Sequence, residues 1–199
     1  MASSFVEFER LRSALLNRPA CNEDIDALLS RFGEGARVFA DLYRQFDGEA
    51  MWGALLPGHK LFSVAECFDL ADCTSDAWEW IEDQRDESHP MRFFLPFLAT
   101  GKKTQIGALL DDRSAFARHV VEYDYETGLI RSWGSSTGQF LDALFSFSIH
   151  HIAPPTSNEE ALSARSYSFS ASDLSYLSEW PTLSFPTDDA FEIEVSSIW

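Results

Sequence analysis

The stretch GSSTG at positions 134–138 is the part of this sequence whose residue types most directly suggest catalysis. It matches G-x-S-x-G, in which a hydrolase serine occupies a tight turn between a strand and a helix. An apolar run precedes it and a helix-like run, "QFLDALFSF", follows it. Ser136 is therefore a candidate nucleophile. It is also a candidate N-cap, because a serine hydroxyl accepts hydrogen bonds from the first amides of a helix.

The residues that a serine hydrolase would also need favour the capping interpretation. An elbow serine stands above a parallel sheet and is followed in the chain by its acid and its histidine. The only histidines after Ser136 are His150 and His151, and the usable acid, Asp142, lies on the same short helix. The strand before the turn belongs to a predicted hairpin. We predict that Ser136 is a cap, with a hydrolase using Ser136 or a carboxylate pair as an alternative.

Metal and cofactor sites are not indicated by the remaining spacings. Cys67 and Cys73 are too far apart in sequence for a zinc-binding pair, and the adjacent His150 and His151 would point to opposite sides of a strand. The "TGKKT" at 100–104 lacks the first glycine of a phosphate-binding loop. We expect no catalytic residue, no metal and no cofactor.

The charge balance restricts the partners of this chain. Its 199 residues include 32 acidic and 15 basic side chains, a net charge of −17, while 45% of the residues are hydrophobic. A chain with that apolar content can fill a core. Its acidic surface disfavours nucleic acid, which is bound through Lys and Arg, and anionic membranes, and it attracts a basic protein. Acidity that serves solubility alone is the other interpretation.

The cellular location follows from the first residues and the cysteines. Glu7 and Glu9 interrupt the N-terminal apolar residues, so we expect no signal peptide, and no run reaches the roughly 18 apolar residues of a membrane span. Cys21, Cys67 and Cys73 are odd in number and contain no C-x-x-C pattern. We therefore expect reduced thiols in a cytoplasmic protein.

The order of the predicted elements favours an α+β fold. Three helices come first, the first of them with Phe5, Phe8, Leu11 and Leu15 on one face, and a short strand follows at 61–64. An acidic helix follows, and then an antiparallel sheet in which Pro96 suits an edge position or a bulge. A closing helix with Phe140, Leu141, Leu144 and Phe145 on one face completes the order. We predict N-terminal helices packed on a small, mostly antiparallel sheet with a closing helix, all within residues 1–150.

A C-terminal extension is predicted for residues 151–199. It is rich in serine, acidic and aromatic, and Pro154-Pro155 marks its start. "FEIEV" near its end is a possible strand. We expect the extension to pack partly on the domain through Tyr167, Phe169, Trp180 and Phe185, and the sequence leaves open whether the protein is a monomer or a homodimer.

The acidic helix at 66–87 is the strongest candidate for a binding surface. It has nine acids and a single base, Arg85, together with tryptophans and an isoleucine that can anchor one edge in the core. Aromatic residues set among charges are typical of interface hot spots, although tryptophans serving the core beside a solvated acidic face would give the same pattern. The candidate partner-binding residues are Asp69, Asp72, Asp76, Trp78, Glu79, Trp80, Glu82 and Asp83.

Five stretches in order resemble the SUKH superfamily over roughly residues 20–147. They are "LYRQFDGE", "LFSVAE", "FLPFLATG", "VVEYDYETGLI" and "STGQFLDALF". The chain departs from that family at Asp47, where Asn is commoner, and its first helix and residues 150–199 have no counterpart there.

The resemblance implies an α+β domain without enzymatic activity. Most bacterial members of the family resemble immunity proteins that bind and neutralise a cognate polymorphic toxin through the toxin's C-terminal domain, and many such toxins act on nucleic acid with basic clefts. Fungal members resemble signalling scaffolds. We therefore expect an immunity protein, with a scaffold that has several partners as the alternative, and we carry over no binding residue from the family.

Overall fold

The computed structural model describes residues 2–82, 90–100, 104–113, 116–124, 130–134, 136–157 and 160. Within these ranges five α-helices and five strands follow the predicted α+β order. The helices are α1 (Ala2–Arg12), α2 (Asn22–Phe32), α3 (Arg37–Tyr43), α4 (Val64–Glu82) and α5 (Thr137–His151). The strands are β1 (Lys60–Leu61), β2 (Phe94–Ala99), β3 (Thr104–Leu109), β4 (Val120–Asp124) and β5 (Ile130–Gly134).

The five strands form one sheet in the order β1-β2-β3-β4-β5, and every neighbouring pair is antiparallel. The predicted antiparallel sheet is thus confirmed. Its β2–β3 register shifts between Pro96 and Leu98. A proline cannot donate a hydrogen bond to the ladder, so it is tolerated at a bulge. Of the two positions predicted for Pro96, the bulge is correct, because β2 lies between β1 and β3.

The inner face of the sheet packs against the helices. Phe97 of β2 is fully buried there and lies beside Phe39 of α3 and Phe140 of α5, with ring centroids 5.2 and 6.2 Å apart. On α5 the four residues predicted to share one buried face all have zero exposure: Phe140, Leu141, Leu144 and Phe145. The helical period read from the sequence therefore placed the closing helix correctly.

The apolar face predicted for the first helix is only partly correct. Leu15 lies beyond the end of α1 and is half-buried. Leu11 is 43% exposed, whereas Arg12 is 7% exposed and takes the next inward position after Phe5 and Phe8. The Arg12 guanidinium donates to the carbonyl oxygens of Ile152, at 2.6 Å, and Ser148, at 3.3 Å. These carbonyls lie at the C-terminal end of α5, where a cation is favoured.

The strand predicted at 61–64 is only partly correct. β1 ends at Leu61, and α4 already begins at Val64. The closing helix ends at His151, close to the predicted domain boundary at 150. Most of the predicted extension, including all four of its packing residues, lies outside the described residues. Among the helices that the structure describes, none combines the length and the apolar character needed to cross a membrane.

Candidate partner-binding surface

The position of α4 is set by the turn that follows α3. Gly48 has a φ of +70°, and a Cβ atom added to it would lie 2.5 Å from the carbonyl carbon of Phe62. A glycine is therefore required both for the left-handed backbone and for the close approach of the two chain segments. This turn brings Asp47 next to the first residues of α4.

The first amides of α4 are satisfied by a cap from Asp47 and by a capping box. Asp47 Oδ1 accepts from the Val64 amide at 2.7 Å. Glu66 Oε2 accepts from the Ser63 amide at 2.9 Å, and Ser63 Oγ accepts from the Glu66 amide at 3.3 Å. Residues 63–66 are thus an S-x-x-E capping box, a signal in the sequence that would have shortened the predicted strand.

The carboxylates of this capping region lie partly out of solvent, and their pKa values shift in opposite directions. Burial raises the pKa of Asp47. Burial alone would also raise the pKa of Glu66, but hydrogen bonds from the Lys60 ammonium and the Ser63 amide lower it overall. Lys60 and Glu66 form an ion pair. These charges are used within the molecule to hold the start of α4.

Glu49 is a buried carboxylate that sequence analysis missed. It is 1% exposed and accepts from the backbone amides of Leu55, at 2.8 Å, and Ala54, at 3.3 Å. Burial raises its pKa to about 8, although these hydrogen bonds favour the ionised form. An isolated glutamate beside a glycine carries no sequence signal of burial, since most glutamates are exposed.

The two sides of α4 differ sharply in exposure. Its inward stripe contains the buried residues Val64, Cys67, Ala71 and Thr74. Its outward stripe contains the exposed residues Ala65, Asp69, Asp72 and Cys73. These four outward residues define what we call the acidic stripe. Its separation from the inward side agrees with the predicted buried edge and negative outer face.

The other predicted candidates are only partly placed. Asp76, Trp78, Glu79, Trp80 and Glu82 belong to the backbone of α4, and Asp83 lies outside the described residues. With one helical turn every 3.6 residues, positions 76 and 80 continue the acidic stripe, and position 79 lies at its margin near Asp72. Positions 78 and 82 instead continue the inward stripe. Positions 78 and 80 therefore lie on different sides of α4, although the sequence analysis listed both tryptophans as partner-binding candidates.

Asp72 and Asp69 have different surroundings. Asp72 forms a 2.6 Å ion pair with Arg31 of α2, whose guanidinium lies over the rings of Phe32, at 5.1 Å, and Phe68, at 5.5 Å. Asp69 is exposed and pairs with none of the basic side chains in the described part of the chain. Its charge is therefore available to a partner.

Several basic residues elsewhere are also paired with acids. Each of four exposed arginines lies within 4 Å of a carboxylate close to it in the sequence. The pairs are Arg37–Glu34, Arg44–Asp41, Arg113–Asp111 and Arg118–Asp112. Such exposed pairs contribute little stability, but they reduce the number of free positive charges that could oppose a basic partner.

Ser136 is the N-cap of α5, as predicted. Its hydroxyl accepts from the Gln139 amide at 3.5 Å. The preceding strand, β5, pairs antiparallel with β4 and lies at the end of the sheet order, so the parallel strand of an elbow is not formed at this turn. His150 lies about 20 Å farther along the same helix. The strand-to-helix elbow that holds a hydrolase serine is therefore not formed at Ser136.

Metal ligation is not supported by the described side chains. Among them, no group of three or more His, Cys, Asp or Glu residues is placed to hold an ion. Comparison of the chain with protein-family models and with curated proteins gave no match. The functional interpretation therefore depends on the acidic stripe and on the sequence resemblance.

Proposed function

We propose that this chain is an immunity-type binding protein that neutralises a cognate toxin without catalysing a reaction. In this proposal the acidic stripe of α4 docks onto a basic surface of the toxin's C-terminal domain. The observation that carries the proposal is Asp69, a carboxylate exposed at the centre of the stripe and not neutralised by any described basic side chain.

The physics of association favours such a surface. Clustered charges of one sign steer an oppositely charged partner and raise its association rate, whereas buried aromatic anchors slow dissociation. Asp69 provides unpaired negative charge, while the charge of Asp72 is offset by its ion pair with Arg31. Trp80, at a position that continues the stripe, is the residue we assign as the aromatic anchor, because tryptophan is enriched among interface hot spots.

The position of the stripe on a rigid support also favours binding. α4 is fixed at its start by the capping box and by Asp47, and along its length by the inward stripe. A preorganised surface loses less conformational entropy on binding than a loop does. The resemblance to the SUKH superfamily supports the same class of function, and we propose that the partner and the intracellular setting implied by that family also apply to this chain.

The first test is capture of the partner from a native lysate with tagged protein. We expect one stoichiometric protein, held through its C-terminal domain. Asp69→Lys should weaken its affinity about tenfold or more, because it places a positive charge against a basic surface. Glu7→Lys is the matched control: it makes the same charge change at an exposed position of α1 and should leave affinity within about twofold. Equal losses in both variants, or several substoichiometric partners, would contradict the proposal.

A further inference from the structure

The outer face of the sheet, opposite the helices, is also apolar and buried. Its side chains form a second cluster, which we call the outer-face cluster: Met91, Phe94, Leu109, Val121, Tyr123 and Ile130. None of them is more than 8% exposed, and Leu109, Val121 and Ile130 are not exposed at all. An antiparallel sheet with helices on one side commonly has a solvated polar second face, so this sheet needs a second cover.

The described residues supply only part of that cover. Phe94 lies over Gly107, where an added Cβ would collide with its ring, and it meets Tyr123 edge-on with ring centroids 6.1 Å apart. Phe116 is the one partly buried apolar residue among those described that packs against the cluster. Complete burial of an aliphatic side chain on a sheet requires a further layer about 10 Å above it.

The composition of the remaining chain identifies a source for this layer. The internal stretches outside the described ranges are short. The longest of them, 83–89, reads "DQRDESH" and contains no apolar residue, and the five residues at 125–129, "YETGL", contain two, Tyr125 and Leu129. Residues 161–199 are the longest remaining stretch and are rich in apolar side chains. These include Tyr167, Phe169, Leu174, Tyr176, Leu177, Trp180, Leu183, Phe185, Phe191, Ile193, Val195, Ile198 and Trp199.

We propose that residues 161–199 fold back over the outer face of their own chain's sheet and cover the outer-face cluster. Apolar and acidic residues alternate at 191–195, which predicts the side of the segment that would face the sheet. Phe191, Ile193 and Val195 share one side and would face the sheet, while Glu192 and Glu194 share the other and would face solvent. Such a two-sided segment can cover an apolar face and still present charge to water.

The length of the segment is sufficient for this path. The described chain near its end lies on the helical side of the domain: a Cβ added to Gly53 would be 3.8 Å from Cγ of Pro155. From residue 161 the chain can extend about 3.3 Å per residue, or roughly 130 Å in total. A domain of this size is only about 40 Å across, so the segment can pass around the sheet edge and cross its outer face.

The first test uses the full chain with a specific protease site inserted at 158–159, beside the exposed residues 156–157. After cleavage in native buffer, the released segment should co-elute with the domain in size exclusion at the mass of one chain. Elution of the segment as a separate peptide, while the domain remains folded by circular dichroism, would overturn the proposal.

A second test keeps the chain intact and changes only one side of the segment. Replacement of Phe191, Ile193 and Val195 by Ser should increase the emission of a hydrophobic dye severalfold, because the outer-face cluster becomes exposed. The matched control, Glu192→Gln with Glu194→Gln, should leave emission unchanged. Equal emission from both variants would contradict the proposal. A dimer by light scattering that binds the dye only after dilution would assign the cover to a second copy and would also overturn it.

Discussion

Two groups of carboxylates meet at α4, and the structure gives them different surroundings. Asp47 and Glu66 lie at the start of the helix, where backbone amides or Lys60 bind them. Asp69 and Asp72 lie on the acidic stripe and are exposed. The first group holds the helix in place. The second group contributes little to the stability of α4, and its exposed side chains remain accessible to a partner.

The comparison shows that the acidic residues behind the net charge of −17 do not all have the same role. A carboxylate that accepts amide hydrogen bonds in a buried site cannot also meet a partner. Exposed carboxylates without a paired base, such as Asp69, contribute most to electrostatic steering at this surface. Changes on the two sides of α4 should therefore affect different measurements, stability on one side and binding on the other.

The largest expected effect comes from comparing the same substitution, Ala to Asp, at a buried position and at an exposed position of α4. Ala71→Asp places a carboxylate at a position that is 4% exposed and should lower the free energy of unfolding by about 3–5 kcal/mol, because no described base is positioned to pair with it. Ala65→Asp makes the same change at an exposed position in the first turn, where an acid is favoured, and should be neutral within about 0.5 kcal/mol. Denaturant titration measures both, and similar losses would contradict the assignment of the two stripes.

A smaller effect should appear in the dependence of stability on pH. The pKa of Glu49 is about 8 in the folded state and ordinary in the unfolded state, so between these values the folded state retains a proton that the unfolded state loses. Stability should therefore fall as pH rises from about 4.5 to 8, by roughly 2–4 kcal/mol in total.

Glu49→Gln isolates this contribution, because Gln has no proton to lose. The difference in unfolding free energy between the parent and Glu49→Gln should change through that pH window and be flat above it. Glu7→Gln, at an exposed position, is the control and should leave the pH profile unaltered. A difference that stays constant from pH 4.5 to 8 would show that Glu49 does not titrate with a raised pKa.

The smallest effect is expected for the ion pair between Asp72 and Arg31. Asp72→Asn should change the free energy of unfolding by no more than about 0.5 kcal/mol, because 62% of the Asp72 side chain is exposed. Arg31→Ala should cost more, about 1 kcal/mol, since the guanidinium also covers the rings of Phe32 and Phe68. Thermal unfolding distinguishes the two, and a larger loss for Asp72→Asn would make Asp72 a structural residue.

Periodic patterns in the sequence predicted what depends on repeated apolar positions. They placed the buried face of α5 at Phe140, Leu141, Leu144 and Phe145. The apolar anchors predicted for α4, at Trp78, Trp80 and Ile81, have side chains outside the described ones. Local chemistry predicted Ser136 as a cap and Pro96 at an edge position or a bulge. These features are encoded by neighbouring residues, so a single sequence is enough to recognise them.

Features that depend on distant contacts were missed. Arg12 replaces Leu11 in the interior because the C-terminal carbonyls of α5, far along the chain, accept its hydrogen bonds. Glu49 is buried because the backbone at Ala54 and Leu55 turns toward it.

The most direct test of the proposed function is the association rate of the captured partner, measured as a function of salt concentration. If the acidic stripe steers the encounter, the rate should fall steeply as salt increases from about 0.05 to 0.5 M. Asp69→Lys should lower the rate at low salt and flatten its salt dependence, whereas Glu7→Lys should leave both nearly unchanged. A salt dependence that is the same for the parent, Asp69→Lys and Glu7→Lys would contradict a role for the acidic stripe in binding.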